Sequence, residues 1–314
     1  MKVKFLASTL TAMLLAGSAS AETIGVSMAM FDDNFLTILR NGMQDHVKTL
    51  DGVTLQIEDA QNDVGKQLSQ VQNFVAAGVD AIVVNTVDTD ATVAISQAAS
   101  AAGIPLVYVN RQPVNVEELP EKQAFVASDE KDSGTLQTTE VCRLLKAAGK
   151  TEANIVVIMG ELSNQAARVR TQDIKDVIAR PDCSFIKIVE EQTANWSRTQ
   201  GADLVTNWLS AGVQFDAVIA NNDEMAIGAV QSLKAANIPM DKVIVAGIDA
   251  TQDALAAMAA GDLDVTVFQD AAGQGSGALD AALKLARGES VEKKVYVPFE
   301  LVTPANLKGY QAKN

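Results

Sequence analysis

One histidine, His46, is all that this chain of 314 residues offers. A Ser-His-Asp centre or a histidine-built zinc site is therefore nearly excluded, since each needs an imidazole among further partners. In the helix read over Ile38–Leu50, His46 takes a surface position. The two cysteines, Cys142 and Cys183, lack the neighbours that a metal site needs. In an exported chain they are free to pair. Two buried thiols fit the sequence equally well, because sequence spacing does not measure separation in space. Basic residues are also short, 25 against 39 acids, for a formal net charge of −14. No basic cluster offsets this, so nucleic acid and anionic lipid are excluded as partners. Aromatics make up only 4% of the chain, so any aromatic at the end of a strand stands out. After Gly17 no apolar run is long enough to span a bilayer.

The first residues have a plan of their own. Lys2 and Lys4 precede an apolar run from Phe5 to Gly17, and Ser18-Ala19-Ser20-Ala21 follows. A basic region, a short apolar core and an A-x-A site make a secretory signal, cleaved after Ala21. No cysteine follows to carry a lipid anchor, and loss of Lys2 and Lys4 takes the formal charge from −14 to −16. The remaining Glu22–Asn314 exceeds one usual core and points to two domains.

What is there is organised around Phe215–Gly228. Ala217–Ala220 is a short apolar run, right for a strand buried on both faces of a parallel sheet. It stops at Asn221-Asn222-Asp223, and apolar positions then recur at helical spacing from Met225 to Leu233. Asn222 or Asp223 would cap that helix. Polar side chains at the carboxyl end of a parallel strand are where open α/β sheets bind ligands. Val83-Val84-Asn85-Thr86, Val107-Tyr108-Val109-Asn110-Arg111 and Val245-Ala246-Gly247-Ile248-Asp249 repeat the plan.

Along the chain, strands and helices alternate at the βαβ period. Strands are read at Thr23–Met28, Val53–Glu58, Ala81–Asn85, Leu106–Val109, Phe125–Ala127, Ile155–Met159, Phe185–Glu190, Val243–Gly247 and Val265–Phe268, besides Ala217–Ala220. Helices are read at Leu36–Leu50, Val64–Ala77, Ala91–Ala102, Ser133–Ala148, Ala166–Ala179, Trp196–Ala211, Met225–Ala236 and Gly275–Ala286, with Tyr296–Leu301 as a last extended stretch. Ala101-Ala102-Gly103-Ile104-Pro105 and Ala235-Ala236-Asn237-Ile238-Pro239 end equivalent helices, a weak internal repeat of two similar βα units.

Several motifs now combine. Phe31-Asp32-Asp33-Asn34-Phe35, Asp59-Ala60-Gln61-Asn62, Val109-Asn110-Arg111, Val126-Ala127-Ser128-Asp129, Ala166-Ala167-Arg168-Val169-Arg170, Asn221-Asn222-Asp223-Glu224-Met225-Ala226, Ala246-Gly247-Ile248-Asp249 and Phe268-Gln269 occur in that order. Each is weak alone. Together, behind a signal peptide, they make the chain resemble the periplasmic sugar-binding proteins of the ribose and galactose type along nearly its whole length. The resemblance implies an α/β fold, the type I periplasmic-binding-protein fold, with two doubly wound parallel-sheet lobes and three hinge crossings. These fall near Ala127–Asp129, Phe268–Asp270 and Val297–Glu300. The lobes would be residues 22–128 plus 269–297 and residues 129–268 plus 298–314, after a signal at 1–21.

By the same resemblance, Asp33, Asn110, Arg111, Arg170, Asn222, Asp249 and Gln269 match polar ligand contacts, and Phe35 and Trp196 match stacking positions. Phe31 is a further candidate wall, and Leu36 stands where the family often has a second aromatic. A sugar or cyclitol has a rim of hydroxyls, which carboxylates, amides and a guanidinium fork can read, and C–H faces that rings can cover. Residue by residue there are plainer readings. Asp249 could simply cap the helix near Thr251, Trp196 could cover the apolar face of its helix, and Arg168 and Arg170 could be solvated charges, with only Arg170 expected to face ligand. Ribose binders usually have Asp at the position of Asn110 and Asn at that of Asp33. The Val-Asn-Arg form resembles the inositol-binding branch, which favours myo-inositol or a derivative over ribose.

The implied function is a monomeric periplasmic receptor of an ABC importer, with an inner-membrane permease as partner and no cofactor or metal. A sensor that presents ligand to a chemoreceptor would have the same pocket, and a neighbouring permease or receptor gene would separate the two. An enzyme is not expected: Gly149-Lys150-Thr151 has Leu144 where a phosphate loop needs its first glycine, and Gly273-Gln274-Gly275-Ser276-Gly277 lacks dinucleotide spacing. A repressor sharing this fold would need a basic helix-turn-helix segment where the signal lies.

Overall fold

The computed structural model describes residues 21–313, so the expected leader lies outside the described residues except for Ala21. In chain order the elements are β1 (Glu22–Met28), α1 (Asn34–Val47), β2 (Val53–Asp59), α2 (Val64–Ala77), β3 (Ala81–Val84), α3 (Thr92–Ala102), β4 (Leu106–Val109) and β5 (Gln123–Ala127). Then come α4 (Glu130–Ala147), β6 (Ala153–Met159), α5 (Gln165–Ile178), β7 (Ile186–Thr193), α6 (Arg198–Ser210), β8 (Ala217–Ala220), α7 (Asp223–Ala235), β9 (Ile244–Ala246) and α8 (Gln252–Ala259). The last are β10 (Thr266–Phe268), α9 (Ala271–Ala286), β11 (Lys294–Tyr296) and β12 (Glu300–Val302).

The strands form two arrays of one design. The first is a parallel sheet in the order β11-β5-β4-β3-β1-β2. In the second, β7-β6-β8-β9 pair in parallel, and single bridges Ala246↔Val265 and Asp249↔Phe268 join β9 to β10, which pairs antiparallel with β12. Apart from that last strand's direction the orders match, which is the three-dimensional form of the repeat in the sequence. Strands such as β3, β4 and β8 are buried at every residue, as sheets covered by helices on both faces require.

The chain passes between the arrays three times. Ser128-Asp129 leads from β5 to α4, which packs on α5, β9 and β10; Gln269-Asp270 leads back from β10 to α9, which packs on α1, β3, β4 and β5; and Val297–Phe299 leads from β11 to β12. The single extended stretch read over Tyr296–Leu301 is therefore two strands in different sheets. Pro298 lies in the break, where its missing N–H costs no ladder bond.

Most helix starts differ from the reading by one to four residues, and those of α4, α9 and α6 have a visible cause. α4 begins at Glu130 rather than Ser133, because the Asp129 carboxylate accepts from Lys131 N and caps it. α9 begins at Ala271 rather than Gly275, capped by Asp270 through Gly273 N at 2.8 Å. Its glycines mark close packing: a Cβ on Gly275 would sit 2.8 Å from the Leu39 carbonyl oxygen. α6 begins at Arg198, not Trp196, with Ser197 as its cap. His46 is half-buried and pairs with Asp280 of α9 at 2.7 Å, so it ties two helices together rather than facing water alone. Cys142 of α4 and Cys183, just before β7, form a disulfide with both residues buried, which resolves the alternative left by the sequence. Among the described residues, no helix is long and apolar enough to cross a membrane.

Candidate functional site

The turns after the strands of both arrays face one another across a cleft with about 390 Å³ of non-atom space, part of it open to solvent. The first lobe contributes Asp33, Phe35 and Leu36 from the start of α1, and Asn110 and Arg111 from the end of β4. The second contributes Arg170, Trp196, Asn222 and Asp249, and Gln269 lies at the crossing to α9. Nine of the ten candidate residues thus line one cavity. Phe31 is the exception: it packs on the first lobe's core, and the Arg40 guanidinium covers its ring at 4.1 Å. Arg168, as expected, faces away, bonded to the Leu162 carbonyl and to Asp90.

Arg170 is the most heavily held of these groups. Its Nε and Nη2 donate to the two oxygens of Glu130 at 2.7 and 2.9 Å, Nη1 donates to the Asn221 carbonyl at 2.7 Å, and Nη2 also reaches Gln269 Oε1 at 3.2 Å. Asp249 Oδ1 lies 4.0 Å from Nη1. Burial works against the Arg170 charge, but Glu130, Asp249 and Asp223 outweigh it and hold the guanidinium more firmly protonated than usual. Burial pushes the Asp249 carboxyl well above the usual range; Arg170 pulls it down, while Asp223, Asp33 and Glu130 push it up.

Across the cleft, Arg111 is buried, with Nη1 donating to the Thr86 carbonyl at 3.0 Å. Among the described residues no carboxylate lies within ion-pair distance of it. Burial lowers its affinity for the proton, and the nearby charges of Asp33 and Glu161 offset that only in part. Asp33 caps α1 through Leu36 N at 2.8 Å. Its carboxyl is raised by burial, with Leu36 N and Arg111 pulling back. One oxygen is thus used structurally, and the group still borders the cavity.

The central motif divides its labour. Asn221 Oδ1 accepts from Gly160 N at 3.0 Å and from Thr171 Oγ1 at 3.1 Å. Asn222 caps α7 through Met225 N at 3.0 Å while lining the cavity. Asp223, fully buried, accepts from Thr266 Oγ1 at 2.7 Å and Thr251 N at 2.9 Å, tying α7 to β10 and the start of α8. Burial raises the Asp223 carboxyl to about 6 despite these donors. Gly247 must be glycine here, since a Cβ would lie 2.3 Å from Asp223 Oδ1. Thr251 caps α8 through Ala254 N, and Asp249 lines the cavity.

Three lining residues sit at unusual backbone angles: Asn110 at φ 66°, Trp196 at φ 63° and Asp249 at φ 128°. Such conformations cost of order 1–3 kcal/mol each and persist where the surroundings enforce them. At Trp196 the left-handed turn lays the ring over Gly160, where a Cβ would fall 2.2 Å from the ring. The Trp196 ring also lies 5.7 Å from the Arg170 guanidinium.

Sequence reasoning missed Glu130, Asn164 and Ala166 as lining residues. A signal for Asn164 existed: β6 ends in a polar turn that precedes a helix, the same plan as the motif after β8. Glu130 lies one residue past a crossing, where reading strand ends alone does not look.

Residues 24–290 match the family model described as periplasmic binding protein domain. The chain is 70% identical over 311 residues, 99% of both chains, to a Rhizobium meliloti protein named "Putative rhizopine-binding protein". An ABC transporter solute-binding protein of Bacillus halodurans, solved with bound myo-inositol, is similar at 43% identity and a TM-score of 0.88, covering 95% of this chain and all of that one. The Caulobacter myo-inositol binding protein, solved with myo-inositol, is similar at 28% identity and a TM-score of 0.83, covering 94% of this chain and 97% of that one. These relatives are binding proteins rather than enzymes. Two wound parallel sheets, three crossings and a polar cleft between them are the type I architecture, and the chain belongs to the periplasmic binding protein family of ABC-transporter solute receptors.

Proposed function

We propose that the protein is the periplasmic receptor of an ABC importer for a cyclitol, with myo-inositol the first choice. The observation that carries this reading is the single cavity lined from both lobes by carboxylates, amides, two buried guanidinium groups and two aromatic rings. Hydroxyls can be read by Asp33, Asn110, Asn222, Asp249 and Gln269, neighbouring oxygens by the arginine forks, and the C–H face by Phe35 and Trp196. The lobes, residues 22–128 plus 269–297 and 129–268 plus 298–314, close as rigid bodies about the crossings. Ligand touches both lobes only when they are closed, and that differential affinity shifts the population. The closed monomer, in the periplasm, then docks on an inner-membrane permease. A second reading takes rhizopine as the ligand, favoured by the 70% identity to the Rhizobium meliloti relative.

A thermal-shift screen of residues 22–314 against inositols, pentoses, hexoses and rhizopine, with calorimetric titration of each hit, tests this. Ligand at about a hundredfold over its dissociation constant adds roughly 2.7 kcal/mol of stability. A response to ribose or galactose but to no cyclitol would keep the receptor and overturn the argument from Asn110. Two variants probe the site itself. Arg111→Ala should weaken binding at least about 100-fold, since it removes a buried charge-assisted donor of a kind worth roughly 1.5–3 kcal/mol and leaves any acceptor it served unmet. Unchanged affinity would remove Arg111 from the site. Trp196→Ala should cost roughly 1–3 kcal/mol of binding, the loss of a buried aromatic wall; a change under about threefold would assign Trp196 to packing alone.

A further inference from the structure

Away from the cavity, the lobes meet along a seam between two turns. Thr89 and Asp90 lie in the turn between β3 and α3, Ser163 lies in the turn after β6, and Gln165 and Arg168 lie in the first turn of α5. Thr89 N and Oγ1 both donate to the Ser163 carbonyl, at 3.1 and 2.9 Å, and Gln165 N donates to Thr89 Oγ1 at 3.1 Å. Beside them Arg168 Nη2 reaches Asp90 at 3.1 Å. None of these five residues borders the cavity, but Asn164 and Ala166, interleaved with them, do. One short stretch thus faces the cavity with some residues and the opposite lobe with their neighbours. Two further bonds across the lobes, Asn34 Nδ2 to Glu224 at 3.2 Å and Asn62 Nδ2 to Glu161 at 3.1 Å, are single and exposed.

We propose that Thr89, with Arg168 in a lesser part, is a closure latch: by bonding lobe to lobe it sets how tightly any ligand is held while touching none. This rests on the reading of the protein as a receptor whose lobes close on ligand. The bonds at Thr89 divide by lobe. Among the described residues, its own lobe bonds Thr89 through the carbonyl alone, which accepts from Thr92 Oγ1 at 3.1 Å and from Val114 N at 2.9 Å. The N–H and the hydroxyl serve the other lobe. Thr89 is fully buried with the lobes in contact, so these bonds are shielded from water. If the lobes part, the N–H and the hydroxyl return to water and neither lobe loses an internal bond. The latch therefore acts on closure and not on folding. Arg168 and Asp90 have side chains 40% and 58% exposed, so solvent and salt screen that pair and it adds little. Affinity for a ligand that needs closed lobes scales with the fraction of the protein able to close, so a weaker latch lowers every affinity by one factor.

The test is calorimetric titration of the mature protein and its variants with myo-inositol, ribose and galactose. Thr89→Val keeps the shape and removes the hydroxyl. It should weaken binding about tenfold, since Gln165 N loses its acceptor and the Ser163 carbonyl one of its donors. Thr89→Ser, which keeps the hydroxyl, should bind within about threefold of the parent, and Arg168→Met should cost no more than about threefold. The Thr89→Val factor should be the same for each of these ligands that the parent binds, and stopped-flow tryptophan fluorescence should place it in the dissociation rate. The unfolding temperature of ligand-free Thr89→Val should stay within about 3 °C of the parent. Unchanged affinity in Thr89→Val would overturn the proposal. So would a factor that differs between ligands, which would put Thr89 in the ligand site, or a Thr89→Ser protein as weak as Thr89→Val, which would make packing the cause. A larger drop in unfolding temperature would assign Thr89 to the fold of its lobe instead. If the parent binds none of the three, the receptor reading above falls, and the latch with it.

Discussion

Arg170→Met should destabilise the protein by about 3–5 kcal/mol and abolish ligand binding. The stability loss follows from burial. Arg170 and Glu130 have side chains only 5% and 4% exposed, and the pair is bidentate. Removing one partner leaves the other charge buried and uncompensated, the costliest way to break an ion pair. The Asn221 carbonyl and Gln269 lose a donor as well. Urea unfolding followed by tryptophan fluorescence measures the effect. The double variant Glu130→Gln/Arg170→Met should regain much of the stability, because the stranded carboxylate is gone, and should still fail to bind. A single variant that loses less than about 1 kcal/mol would show that water reaches this pair freely.

Replacing both cysteines, as Cys142→Ser/Cys183→Ser, should cost about 4 kcal/mol, the chain-entropy value for a crosslink spanning 41 residues. The bond joins α4 to the chain just before β7, so the loss should fall on the second lobe. Both sulfurs lie in a hydrophobic cluster beneath that lobe's sheet, away from the cleft. Ligand affinity at 25 °C should therefore stay within about threefold of the parent. Differential scanning calorimetry with and without ligand separates the two effects. An unchanged melting temperature would mean that the reduced chain is already restrained by other contacts.

Much of this was legible in the sequence because parallel strands buried on both faces leave a clear mark. Ala217–Ala220, Leu106–Val109 and the helix Val64–Ala77 with Gly78 behind it were read to the residue. Apolar runs and glycine stops report local burial and local backbone angle, which are properties of short segments. What was not legible depends on partners far away in sequence. The starts of α4 and α9 are set by Asp129 and Asp270, acids that also mark the crossings, and the glycines of α9 look like helix breakers until α1 is seen against them. Phe31 and Phe35 lie four residues apart and both pack on the first lobe's core, but only Phe35 also borders the cavity, while Arg40 covers Phe31. Glu130 entered the site because it neutralises Arg170, a pairing across 40 positions that no local pattern announces.

The threading of the chain also bears on how the protein is made. The first lobe's sheet has β11, residues Lys294–Tyr296, on one edge, and α9, residues Ala271–Ala286, covers β3, β4 and β5. Neither piece exists until nearly the whole chain has left the ribosome. An N-terminal fragment therefore lacks an edge strand and a covering helix and has no complete core to fold around. Late completion of this lobe keeps it loose until residues 271–296, which supply α9 and β11, have arrived.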